Sequence, residues 1–322
     1  MTTIATRIEP YLQISKLIAG PLAGYTCAPM RRLVWRYQEP AFCYTEMISA
    51  KHLLTVKRMQ TRYTYRAPEE KRLCWQLSGH DPVVLHEASA KAVSMGADLI
   101  DLNCGCPKGK IRAKQCGSFH VEDPERLLRL VEAMRSAVDC PLIIKIRLHP
   151  SKDPLKTDEI VEAVNAAGAD ALVVHGRAFC DDYDIPVDVQ AMARCVAASK
   201  IPVIINGDIK DTASAKQLLE QTKAAGLMIG RAMTGKPWLF EQIQTEMDGG
   251  VYDSPSYPDR AELLLEHITH LIALENEHRA LLQSRKLLKY YSKGLLSERD
   301  LLEPFYINNF EQLSQWIRTH FV

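Results

Sequence analysis

The sequence predicts an α/β fold, a (β/α)8 barrel of the TIM type followed by a small C-terminal helical domain. Three observations lead there. Eight short, β-rich apolar runs recur every few tens of residues; segments with helical period and helix-start signals fill most of the gaps; and from 260 to 322 only the helical pattern remains. Eight units within about 250 residues match such a barrel. An open doubly wound sheet would carry a glycine-rich fingerprint after its first strand, and Ala19-Gly20-Pro21-Leu22-Ala23-Gly24 is not G-x-G-x-x-G.

In chain order, the predicted strands are 17–22, 41–48, 73–78, 98–104, 141–148, 171–177, 202–209 and 226–233. Asp81-Pro82 opens a helix over 83–95, and Asp123-Pro124 opens another over 125–138, a cap followed by a proline pre-set for the first turn. Gly96, Gly168 and Gly226 are read as helix-terminating glycines that turn the chain back into a buried strand. A helix over 238–247 is followed by Asp-Gly-Gly-Val-Tyr-Asp-Ser-Pro-Ser-Tyr-Pro, a turn-rich linker. The barrel is therefore expected over 1–247 and the helical unit over 248–322.

Composition narrows the class. No stretch approaches the roughly 20 apolar residues of a membrane helix. The first ten residues lack an apolar core and a cleavage site, so no secretory leader is expected. Nine cysteines, odd in number and scattered, fit a reducing compartment, and the expected location is the cytoplasm. Cys104, Cys106 and Cys116 contain no C-x-x-C pair, so no metal is expected. The net charge of +1 hides three basic clusters. Lys51, Lys57, Arg58, Arg62, Arg66, Lys71 and Arg72 meet only Glu69 and Glu70, with Tyr63 and Tyr65 interleaved; Lys108, Lys110, Arg112 and Lys114 follow a thiol; and Arg279, Arg285, Lys286, Lys289 and Lys293 run without an acidic residue. Such clusters suit a polyanion such as RNA.

Leu-Ile-Asp-Leu-Asn-Cys-Gly-Cys-Pro, residues 99–107, is the most informative segment. Barrel strands carry their chemistry at their carboxyl ends, which places Asn103, Cys104 and Cys106 where substrates bind. Gln76, Lys145, His175, Asn206-Gly207-Asp208 and Gly230-Arg231 end or occupy other strands. A lysine inside an apolar strand costs several kcal/mol to bury unless an anionic partner meets it. Lys145 thus asks for a ligand. Gly207 and Gly230 would let backbone N–H groups approach a phosphate after the seventh and eighth strands. Together these groups describe a site for the phosphate and ring of a flavin.

The same residues resemble the tRNA-dihydrouridine synthase family. The motifs, in order, are Pro21-Leu22-Ala23-Gly24-Tyr25-Thr26, Thr45-Glu46-Met47, Gln76-Leu77, Asn103-Cys104-Gly105-Cys106-Pro107, Ile144-Lys145-Ile146-Arg147, His175-Gly176-Arg177, Asn206-Gly207-Asp208-Ile209 and Ile229-Gly230-Arg231-Ala232 with Pro237-Trp238. A C-terminal run from Arg285 to Gly294 is similar to the family's RNA-contacting helix. The resemblance implies FMN held by Gly20, Pro21, Leu22, Gln76, Lys145, His175, Asn206, Gly207, Asp208, Gly230 and Arg231. It implies NADPH (or NADH) as reductant, hydride passing from N5 of the reduced flavin to C6 of a flipped uracil, and Cys106 protonating C5. Contacts to tRNA are expected from Lys108, Lys110, Arg112, Lys114, Arg177, Arg285, Lys286, Lys289 and Lys293, and the protein is expected to be a monomer, although the sequence does not decide its oligomeric state. Cys104 is read as a packing residue. The chain departs from the family pattern at Cys27, Gln115 and His120, the last two in the loop beside the thiol, where substrate position and RNA class are decided. Two other readings remain open on the residues: a barrel flavoenzyme acting on a free pyrimidine, of the dihydroorotate type, and a non-catalytic RNA-binding protein on the same fold. A small-metabolite enzyme has no need of the basic clusters, and a pure binder has no need of Lys145 and Cys106.

Overall fold

The computed structural model describes residues 6–55, 61–151 and 153–322. Its strands are β1 (Leu17–Ala19), β2 (Cys43–Tyr44), β3 (Ile48–Ser49), β4 (Leu73–Ser78), β5 (Leu99–Cys104), β6 (Leu142–Leu148), β7 (Ala171–Ala178), β8 (Val203–Asn206) and β9 (Gly226–Ile229). All pair in parallel. β2 bridges β1 and β4 while β3 extends along β4, so the two are successive pieces of one stave. β9 returns to β1, with Ala19 opposite Ile229, and closes the ring. The result is an eight-stave parallel barrel with helices around it and further helices at the C-terminus, which removes every free sheet edge.

The strands are apolar on both faces because both are covered. Inside, Ile18, Phe42, Tyr44, Cys74, Leu99, Ile143, Val173, Ile204 and Met228 form one cluster, and Ile8, Tyr11 and Leu12 from the segment around the helix Glu9–Ile14 close it at the strands' amino ends. Asp170 ties that floor together: its carboxylate accepts from the backbone N–H groups of Arg7 at 3.1 Å and Leu142 at 2.9 Å, and pairs with Arg135 at 2.7 Å. Outside, the helices Pro82–Ser94, Pro124–Arg135, Pro154–Ala166, Val189–Ala198 and Thr212–Thr222 each start on an aspartate, Asp81, Asp123, Asp153, Asp188 and Asp211, whose side chain accepts a first-turn N–H. Each cap is worth about 1 kcal/mol.

Four boundaries differ from the sequence reading. The first strand stops at Ala19, before Pro21, which has no N–H to give a ladder. The second is interrupted at Thr45-Glu46-Met47. The seventh ends at Asn206, because Gly207 (φ 117°) and Asp208 (φ 53°) leave extended geometry, and the eighth ends at Ile229, before the 3-10 turn Arg231–Met233. Gly96 and Gly168 do turn the chain at positive φ, but Gly226 lies within β9; the left-handed residue after the helix Thr212–Thr222 is Lys223 (φ 58°).

The C-terminal part comprises the helices Tyr257–Leu274, Glu277–Tyr291 and Phe310–His320 with the 3-10 helix Asp300–Tyr306. Leu264, Ile268, Leu281, Leu288, Tyr291, Trp316 and Ile317 share an apolar cluster with Cys27 and Leu33, at the start of and within the helix Ala28–Tyr37, and with Trp238. Gly235 (φ 70°) presses against the backbone of Tyr290, where an added Cβ would stand 2.6 Å from the carbonyl carbon. Among the described residues no helix is long and apolar enough to cross a membrane.

Candidate functional site

At the carboxyl ends of the strands lies a cavity of about 510 Å³. Gln76 from β4, Asn103 from β5, Cys106 from the loop that follows, Lys145 and Arg147 from β6, His175 from β7 and Asn206 from β8 line it. Gly20, Pro21 and Leu22, then Gly207 and Asp208, then Gly230 and Arg231, complete the wall from the loops after β1, β8 and β9. The sequence-derived thiol and flavin-contact residues thus meet in one space. Pairing register explains why: Asn103 stands opposite Lys145, Arg147 opposite His175, and His175 opposite Asn206.

Lys145 donates to Asn206 Oδ1 at 3.1 Å, and Asn206 Nδ2 donates onward to the Met228 carbonyl at 2.8 Å. No carboxylate lies within ion-pair reach of Lys145 among the described residues. Burial pulls its ammonium down to about 8, with Asp101 opposing and Arg147 assisting. His175 is pushed down to about 2, by burial first and then by Lys145, Arg147, Arg177 and Arg231, so its ring is neutral, and Nδ1 is buried with no partner. Arg147 donates to the Ala178 carbonyl at 2.8 Å, and Arg231 lies 3.6 Å from the ring centre of Tyr183; neither has a carboxylate partner among the described residues. At Gly230 an added Cβ would meet only Asn206 Nδ2, at 3.8 Å, so the backbone there is open to the cavity. This set offers amides and an ammonium at its centre, with an open glycine turn and a guanidinium at one side, neither cation meeting a carboxylate among the described residues. Such a set could receive a planar, hydrogen-bonding ring that carries an anionic tail.

A family model described as Dihydrouridine synthase (Dus) matches residues 17–314. The chain belongs to the dihydrouridine synthase family. It is therefore an oxidoreductase of that family. It is 34% identical over 284 residues to a probable tRNA-dihydrouridine synthase of Rhodobacter capsulatus, covering 86% of each chain. It is 32% identical over 300 residues to tRNA-dihydrouridine synthase B of Pseudomonas aeruginosa, covering 93% of this chain and 90% of the relative. To probable tRNA-dihydrouridine synthase 1 of Synechocystis it is 34% identical over 303 residues, 92% and 84% of the two chains.

In this dihydrouridine synthase family member the basic residues are less uniform than their spacing suggested. Lys108, Lys110 and Lys114 are exposed beside the thiol loop, and Lys286, Lys289 and Lys293 are exposed on and just beyond the helix Glu277–Tyr291. Arg112 is committed to Glu122 at 2.9 Å and stacks on Phe179, and Arg285 donates to the Phe305 carbonyl at 2.8 Å. Arg177, expected to face RNA, is buried instead: its guanidinium holds Asp208 at 2.8 Å and the carbonyls of Tyr183 and Ile185, so it shapes the loop rather than meeting solvent. In the first basic cluster Arg62 joins Glu46 and Glu275, Arg66 joins Asp98, and Lys71 and Arg72 join Glu39. Four of its described members are thus spent on ion pairs, which corrects the reading of those four as a free polyanion surface; Lys51 is exposed, and Lys57 and Arg58 lie outside the described residues.

Cys104 is fully buried and its thiol is pushed well up by burial, whereas Cys106 is part-exposed to the cavity. The three departures have structural homes. Cys27 packs beneath the C-terminal helices, Gln115 adopts φ 55°, a conformation glycine takes without strain, and buried His120 donates Nε2–H to the Gly79 carbonyl at 3.0 Å. Sequence reasoning passed over Arg147, Asp101, Tyr183 and Tyr290. Arg147 and Asp101 had a signal: each sits two residues from a recognised site residue inside an apolar strand and so shares its face. Tyr183 reaches the mouth from a loop with no pattern to mark it, and Tyr290 reaches it from the Arg285–Gly294 run, which sequence marked for RNA and not for the cavity.

Proposed function

We propose that this chain is an FMN-dependent tRNA-dihydrouridine synthase that reduces the C5–C6 double bond of selected uridines in tRNA, with NADPH or NADH as electron source. The observation that carries the reading is the convergence of a part-exposed thiol, Cys106, and an ammonium without a carboxylate partner, Lys145, on one cavity, in a chain whose relatives bear that enzyme's name. When bound, FMN supplies the hydride that reduction of a nucleobase double bond requires. Gln76, Asn103 and Lys145 would hold its ring edge, while Gly207, Gly230 and Arg231 would receive its phosphate. The buried, unpartnered Nδ1 of His175 supports this assignment, since a neutral ring offers an uncharged hydrogen bond to a ligand.

Cys106 acts on the substrate. As C6 of the uracil gains hydride, the Cys106 Sγ–H bond breaks and its proton forms the new C–H bond at C5; water then reprotonates the thiolate. Removal of a general acid typically slows such a step by about 10²- to 10⁴-fold. Lifting the base out of folded RNA costs a few kcal/mol. Lys108, Lys110 and Lys114 beside the thiol, and Lys286, Lys289 and Lys293 on the helical part, would offset that cost with phosphate contacts; their exposure supports the assignment. The working unit in this reading is a monomer, with residues 1–247 acting as catalytic barrel and 248–322 as RNA grip.

The test is reduction of unmodified tRNA transcripts by purified protein, scored as dihydrouridine by mass spectrometry, beside ribosomal RNA fragments and free uridine monophosphate. We expect a yellow protein that releases FMN on denaturation and modifies tRNA only. A protein that cannot take up FMN rejects the reading; preference for the free nucleotide establishes the free-pyrimidine alternative. Mapping dihydrouridine in total RNA from cells lacking the protein then identifies the uridines.

A further inference from the structure

Asp101 is fully buried on β5, two residues before Asn103 and on the same face. Register puts it opposite Gln76 of β4. A directed chain of hydrogen bonds starts there. Gln76 Nε2 donates to Asp101 Oδ2 at 2.7 Å; Asn103 Nδ2 donates to Gln76 Oε1 at 2.7 Å; Asn103 Oδ1 accepts the N–H of Cys106 at 3.0 Å and that of Gly105 at 3.3 Å. The direction is forced from both ends. Backbone N–H groups only donate, so the Asn103 oxygen must face them and its NH2 must face Gln76. That turns the Gln76 NH2 toward Asp101, where only an acceptor completes the chain. An amide without such a neighbour exchanges O for N by a half-turn at almost no change of shape.

We propose that Asp101 is a positioning residue: its Oδ2 locks the orientation of the Gln76 and Asn103 amides and, through them, the backbone turn that carries Cys106. The lock has a second effect, since both amides line the cavity and their remaining N–H groups then face it as donors. The acceptor oxygen, and not a negative charge, is what the chain uses. Burial drives the Asp101 carboxyl well above the usual carboxylate range, and its Oδ2 accepts whether or not the group is ionised. What the turn is for rests on the proposed function; the lock itself rests on the hydrogen bonds.

The experiment compares Asp101→Asn, which keeps an acceptor, with Asp101→Leu, which keeps a similar volume without one, in the full chain. Amide hydrogen exchange of Gly105 and Cys106 in the ligand-free protein should be unchanged within about threefold in the Asn variant and at least tenfold faster in the Leu variant, with the amides of β4 and β6 unaffected. The dissociation constant of added FMN, from flavin fluorescence, should rise about tenfold in the Leu variant and stay within twofold in the Asn variant. Unaltered exchange at Gly105 and Cys106 in the Leu variant, equal damage by Asn and Leu, or acceleration spread evenly through β4 and β6 overturns the proposal. If the Leu variant does not fold, Gln76→Met breaks the next link with Asp101 in place and must release the same two amides; unchanged exchange there overturns it equally. A parent protein that never binds FMN rejects the proposed function while the exchange measurement still decides the lock.

Discussion

Two residues of one short motif illustrate how place decides chemistry. Cys104 ends β5 inside the apolar layer, while Cys106, two positions on, has left the strand and faces the cavity. Cys106→Ala should therefore keep its flavin and its reduction by NADPH, yet reduce tRNA about 10²- to 10⁴-fold more slowly in a single turnover. Cys104→Ala should alter that rate little and show its effect as lost stability; equal loss in both variants would reject the acid role. Lys145 gives a pH-dependent prediction. Unfolded, a lysine holds its proton to about 10.4, whereas here burial pulls the value down to about 8. The folded protein thus binds fewer protons between those limits, so its stability relative to Lys145→Met should rise with pH across that window. Affinity for an anionic ligand runs the other way. It should weaken above pH 8 by up to about tenfold per unit, and the variant should lose that dependence in an FMN titration. Lys145 stood out in sequence because a charge inside an apolar strand is conspicuous. Arg177 was misread because sequence does not show Asp208 waiting 2.8 Å away.

At the scale of elements, alternation of strand and helix was easy to read, since buried parallel strands are unbroken apolar runs and five of the helices between them begin on Asp, three of these on Asp-Pro. Element ends were not, because they depend on backbone angles: Asp208, after β8, and Lys223, after the helix Thr212–Thr222, adopt positive φ without being glycine. The basic run of the C-terminal helix was legible as charge, but the division of labour within it was not. Changing Lys286, Lys289 and Lys293 together to Ala should weaken RNA binding and flatten its salt dependence by about one unit of slope per lost phosphate contact. Arg285→Ala should change the slope far less, because its guanidinium is already engaged with Phe305. The seat of this helix is Gly235. A Cβ there meets the Tyr290 backbone at 2.6 Å, at a φ of 70°. Gly235→Ala should cost about 2–4 kcal/mol in urea denaturation and displace Tyr290 from the cavity mouth.

For the molecule as a whole, acid sensitivity follows from three histidines kept neutral. Burial lowers His120 to about 4, His175 to about 2 and His267 to about 3. Once unfolded, each takes up a proton near 6.5, so stability is complete above that value and falls as pH drops below it, by up to about 1.4 kcal/mol per pH unit for each. Denaturation curves at pH 7, 6 and 5 should show this loss, and His267→Phe should remove close to a third of the slope. A flat profile would mean that the rings are hydrated and protonated in the fold.

The floor made by Ile8, Tyr11, Leu12 and the Asp170 network has one more implication. Among the described residues that end of the barrel is filled, so the cavity opens at the other end, where Tyr183 and Tyr290 line it. Under the proposed function, reductant and nucleobase would therefore approach the site from the same side.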